Sequence, residues 1–123
     1  MIRKVAFTIY AVTDMAAARG FYEGRLGLVT TASATAPWVE YDLLGGGCFV
    51  ITTVMQVPAQ PSAVGTIAFE VDDLDALLAD LRSAGVRLAD GDIVEGPHCR
   101  MMTCFDPDGN SLLLHQLDAD CLA

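Results

Sequence analysis

The chain has 123 residues, 53% of them hydrophobic, and carries 7 Lys+Arg against 16 Asp+Glu for a formal charge of −9. That length and apolar content support a packed core and exclude a disordered chain. So acidic a balance argues against nucleic acid, whose phosphates require clustered Lys and Arg.

No apolar run approaches the ~20 residues that span a bilayer. The start Met1-Ile2-Arg3-Lys4 leads into a strand-like run and not a signal peptide, so a cytoplasmic protein without membrane partner is expected. The first run, Phe7-Thr8-Ile9-Tyr10-Ala11-Val12, is followed by Thr13-Asp14, and Asp14 stands where an N-cap carboxylate accepts free backbone N–H groups. A helical pattern follows, with Met15, Ala18, Tyr22 and Leu26 on one face and Gly27 as its C-cap glycine. Three strand-like runs come next, at 28–32, 38–43 and 48–54, with Gly45-Gly46-Gly47 turning between the last two. Residues 57–64 are a Pro-containing connector without periodicity.

Then the pattern repeats at an offset of 59 residues, with Thr66-Ile67-Ala68-Phe69-Glu70-Val71 leading to Asp72-Asp73. Leu74, Leu77, Leu78 and Leu81 share the face of a second helix that Asp73 caps and Gly85 ends. Strand-like runs at 86–89, 100–105 and 111–117 complete the copy, with Asp106-Pro107-Asp108-Gly109-Asn110 as the turn before the last. The layout is α+β: one βαβββ module over 1–56, a linker over 57–64 and a second module over 65–123, together one structural domain. Neither module covers both faces of its sheet, so the two sheets are expected to pair into one curved, half-open eight-stranded sheet with the helices outside and a cleft within.

The four cysteines, Cys48, Cys99, Cys104 and Cys121, contain no CxxC pair, which excludes a zinc knuckle or a thioredoxin-type motif. Free thiols are expected, with Cys48 and Cys104 packed as small apolar groups.

Paired modules, Phe21-Tyr22-Glu23-Gly24-Arg25-Leu26-Gly27-Leu28 and Asp106-Pro107-Asp108-Gly109-Asn110 together resemble the vicinal oxygen chelate superfamily of glyoxalase I, bleomycin-resistance proteins, fosfomycin-resistance enzymes and extradiol dioxygenases. In that family's metalloenzymes the ligands sit on the first and last strand of each module. The resemblance carries those positions onto Phe7, onto Val50 or Ile51 with the register open by one residue, onto Thr66 and onto Leu113. Three of the four are hydrocarbon, and Thr66 offers one neutral hydroxyl, a poor set for a divalent cation. No metal and no other cofactor is therefore expected.

His115 follows Leu113 by two, so both point to one face; it is either a ligand-contacting imidazole or a histidine satisfied near a strand end. Glu70 alternates with Thr66 and Ala68, and is either a base or cation anchor or a solvated carboxylate. His98 lies in a loop beside Gly96-Pro97. Trp38 and Tyr41 lie on opposite faces of their strand, one lining the cleft and the other beneath the helix. The expected function is a metal-independent, homodimeric small-molecule-binding protein of the glyoxalase/bleomycin-resistance type. Its cleft would hold an apolar or aromatic, neutral or cationic ligand against Phe7, Trp38, Ile51, Thr66, Glu70, Leu113 and His115, with no catalytic residue assigned. The alternatives are a metal-free lyase or isomerase using Glu70, His115 or a cysteine, or a metalloenzyme with displaced ligands such as His98, His115 and Glu70.

Overall fold

A computed structural model of the chain describes residues 1, 7–54, 67–96 and 98–118. The connector 57–64, Thr66 and Cys121 lie outside the described residues. Two compact units, Met1–Gln60 and Pro61–Ala123, follow one plan. No helix among the described residues is long and apolar enough to cross a membrane.

In the first unit, β1 (Thr8–Ala11) leads to helix α1 (Met15–Arg19), then to β2 (Trp38–Asp42) and β3 (Cys48–Thr52). β3 is central, parallel to β1 and antiparallel to β2. Asp14 caps α1, its Oδ1 accepting the Ala17 N–H at 3.0 Å. The regular α-helix expected through Leu26 is corrected: from Gly20 to Arg25 the chain widens into a π-helical turn. There the Leu26 N–H reaches the Phe21 carbonyl, five residues back, at 3.1 Å. The wider turn brings Phe21 and Tyr22, neighbours in sequence, into the core together, their rings edge to face at 5.0 Å.

Tyr22, Tyr41 and Phe49 form one buried aromatic layer beneath that segment, with Tyr10 on its edge. The Tyr41 hydroxyl donates to Glu23 at 2.8 Å, and Arg19 donates to the same carboxylate at 2.6 Å. Residues 28–32, expected as a strand, pair with nothing in a ladder. Thr30 donates its hydroxyl to the Glu40 carbonyl at 2.7 Å, where a strand partner's N–H would bind. Arg19 takes the Ser33 carbonyl at 2.6 Å and the Ala32 carbonyl at 3.4 Å.

The second unit runs β4 (Ile67–Glu70), helix α2 (Leu74–Ser83), β5 (Val94–Glu95), β6 (Cys99–Phe105) and β7 (Ser111–Leu117), with sheet order β4-β7-β6-β5. Asp73 caps α2 through the Ala76 N–H at 3.0 Å, and the Gln116 side chain accepts the Leu74 N–H at 2.7 Å. Past the helix, Gly85 adopts φ 76°, and the Val86 N–H bonds the Leu81 carbonyl at 3.0 Å. Leu74, Leu78 and Leu81 pack fully buried, as do Leu112 and Cys104 with Leu114 and Met102 close behind. The run 86–89 is reduced to a single bridge, Leu88 to Cys104, and the edge of β6 is shared with the two-residue β5, which was not expected. Seven strands thus stand among the described residues where eight were expected.

The turn at Asp106 is structural. Its buried carboxylate accepts the Asp108 and Asn110 N–H groups and the Asn110 amide, each at 2.9 Å. At the first helix, the Arg19 hydrogen bond, opposed by burial and aided by Tyr41, holds Glu23 below the usual carboxylate range. A carboxyl depressed by folding contributes stability above its unfolded titration and loses it as pH falls through the folded value. Glu23→Gln should therefore cost about 1–2 kcal/mol in urea unfolding at neutral pH, and its gap from the wild type should close under acid conditions.

Candidate functional site

Pleating assigns every strand residue to the helix side or to the opposite, helix-free side. In the first unit Tyr10, Ile51 and Val39 form one cross-strand row beneath the helix, and Ile9, Val50 and Glu40 form a row on the helix-free side. The open register therefore resolves to Val50. Ile51 is corrected from a ligand-facing to a core residue, because it shares the face of Phe49 and its aromatic layer.

Trp38, Glu40 and Asp42 are the exposed members of β2, while Val39 and Tyr41 are fully buried. Trp38 thus takes the helix-free side and Tyr41 the helix side. Phe7, 44% exposed, meets the Trp38 ring edge to face at 5.8 Å. The Trp38 indole N–H donates to Glu40 at 3.0 Å. Residues 29–32 and the side chains of Trp38, Glu40 and Asp42 line a groove of about 330 Å³. The sequence reading missed Glu40, Asp42 and this wall; the alternation of Trp38, Glu40 and Asp42 was the signal available.

In the second unit β4 and β7 run parallel, with Ala68 beside Leu113 and Glu70 beside His115. Across β7, Thr103 pairs with Leu113 and Met101 with His115. The opposite set, Leu112 and Leu114, is buried, and Gln116 and Arg100 reach α2 through Leu74 and Asp75. Glu70 and His115 consequently share the helix-free side with Leu113. They meet there: His115 Nδ1 lies 2.6 Å from Glu70 Oε1, and the Leu117 N–H donates to Oε2 at 2.7 Å. Burial pushes the Glu70 carboxyl up, but the Leu117 N–H and the His115 ring outweigh it and leave it below the usual range.

A divalent cation does not fit the described family positions, since Phe7, Val50 and Leu113 offer only hydrocarbon. Among the described residues no three His, Cys, Asp or Glu side chains are grouped to hold a metal. His98 is not gathered with Glu70 and His115; it lies exposed, its carbonyl accepting the Asp118 N–H at 2.9 Å.

These features define a two-module α+β protein whose helix-free sheet faces present aromatic, apolar and carboxylate groups. Residues 4–114 match the family model for the Glyoxalase/Bleomycin resistance protein/Dioxygenase superfamily, and the chain belongs to that family. No curated protein matches it in sequence. Among solved structures it is similar to a glyoxalase/dioxygenase from Nostoc punctiforme, at 21% identity and TM-score 0.75, covering 94% of this chain and 91% of that one. It is also similar to TnmS3, an antibiotic binding protein from Streptomyces sp. CB03234, at 24% identity and TM-score 0.72, covering 95% and 98%. The genomically encoded fosfomycin resistance protein FosX from Listeria monocytogenes matches at 19% identity and TM-score 0.74, covering 98% of each chain. At these identities the likeness shows the fold.

Neither the buried Cys104 nor the half-buried Cys48 is poised as a nucleophile. Burial, then the nearby Asp106, pushes Cys104 up to about 12, and burial, then Glu40 and Asp42, raises Cys48. The thiolate is the reactive form. Mass spectrometry after brief alkylation near neutral pH should find Cys104 unmodified in the folded protein and modified in denaturant; rapid labelling of native Cys104 would contradict this packing.

Proposed function

We propose that the protein is a metal-independent small-molecule-binding member of its family, holding an apolar or aromatic ligand that is neutral or cationic. The observation that carries the reading is the groove beside Trp38. It brings Trp38 together with the acidic residues Glu40 and Asp42, and no Lys or Arg lines it among the described residues. An indole face and nearby carboxylates favour a flat ring and a positive charge. Phe7, exposed and edge to face with Trp38, supports the same conclusion, because its ring contacts flat molecules well and coordinates nothing. TnmS3, by its description an antibiotic binding protein, offers a precedent for binding on this fold. The homodimer and cytoplasmic location expected above belong to this proposal, and light scattering that returned the monomer mass at micromolar concentration would count against the dimer.

The test uses the single tryptophan, Trp38, as reporter. Proflavine, a planar aromatic cation, should quench Trp38 and raise the melting temperature whether or not a chelator is present. Naphthalene-1-sulfonate, an anion, should bind more weakly. Trp38→Ala should weaken proflavine binding about tenfold by calorimetry, the loss of one good aromatic contact. Absence of any shift with both probes, or binding that appears only after zinc or nickel is added, would overturn the proposal.

A further inference from the structure

The Glu70–His115 pair lies on the other sheet from the Trp38 groove, and its geometry has its own chemical consequence. A carboxylate accepts hydrogen bonds and donates none. Glu70 Oε2 is held by the Leu117 N–H at 2.7 Å, which fixes Oε1 against His115 Nδ1 at 2.6 Å. With Glu70 ionised, Nδ1 must carry the ring proton, and in a neutral imidazole Nε2 is then a bare acceptor. This tautomer follows from the partner and not from a visible hydrogen.

Nothing among the described residues hydrogen-bonds Nε2, and the His115 side chain is 24% exposed. The same face surrounds it with Leu113 and Leu117 on β7, Met101 and Thr103 on β6 and Ala68 on β4. No Lys or Arg lies in those rows to compete for the lone pair. The surroundings are therefore chiefly apolar, with one oriented acceptor in their midst.

We infer that Glu70 and His115 form a donor-selective subsite, in which His115 Nε2 accepts a hydrogen bond from a phenol, amide N–H or ammonium of a ligand whose apolar body rests on Leu113 and Met101. Glu70 acts as a positioning residue that sets the tautomer. The inference rests on the small-molecule-binding reading above and narrows its ligand class. A ligand that presents only an acceptor meets a lone pair and forfeits the hydrogen bond, a discrimination of about fivefold or more.

Nitrogen-15 NMR of the labelled full chain, at a pH above the ordinary imidazole range, reads the tautomer without any ligand or variant. His115 should be protonated on Nδ1 and bare on Nε2, and Glu70→Gln should weaken that bias, because an amide can donate to Nδ1 as well as accept from it. Calorimetry with 1-naphthol and with 1-methoxynaphthalene, which lacks the donor, should then favour the naphthol at least about fivefold, with the naphthol moving the His115 ring resonances. In His115→Phe, which keeps the apolar surroundings, the two compounds should bind alike. A wild-type ring protonated mainly on Nε2, or equal affinity for naphthol and its ether, would overturn this inference and leave the binding proposal standing. Failure of both naphthalenes and of proflavine to bind would overturn both.

Discussion

Strand pleating delivers alternate side chains to opposite faces, and each sheet here has one helix to cover one of them. The helix side must therefore collect the bulk: Tyr22, Tyr41 and Phe49 in one unit, Leu74, Leu78, Leu81, Leu112 and Leu114 in the other. A slip of one residue in β3 would send Phe49 to the wrong face, and one in β7 would do the same to Leu112 and Leu114. Burial on the helix side thus determines which residues stand on the other side. Glu70 and His115 meet because Phe69 and Leu114 are their neighbours on the packed face and occupy the same rung of the parallel ladder.

The helix-free faces share a second constraint. Hydrocarbon at Phe7 and Val50 in one unit, and at Leu113 in the other, needs no hydrogen-bond partner. Two of the carboxylates that do enter are satisfied by neighbours: Glu70 by a backbone N–H and an imidazole, Glu40 by an indole N–H. Polarity on these faces is therefore confined to a few oriented groups.

Features encoded within a few residues were legible in the sequence. Asp14 and Asp73 cap as expected because a cap needs only an extended backbone and an N–H three positions on. Gly27 and Gly85 take positive φ for an equally local reason. The shared face of Glu70 and His115 followed from alternation alone, but their contact required the register between β4 and β7, which lies in no single segment. The same gap left Val50 and Ile51 unresolved. The π-helical turn at Gly20–Arg25 escaped notice because Phe21 and Tyr22 break the α-helical period only once both must be buried. Residues 28–32 read as a strand by composition, yet Thr30 and Arg19 occupy the backbone acceptors that a ladder would have used.

That last substitution changes how the protein can diversify. One wall of the groove is held by the Thr30 hydroxyl and the Arg19 guanidinium and not by a ladder of paired strands. Val29 and Thr31 are exposed and make none of these fastenings. Exchanging them would recontour the groove while the central strand and the aromatic layer stay in place. Lineages carrying this arrangement could acquire a new range of ligands through surface substitutions, without passing through unstable intermediates.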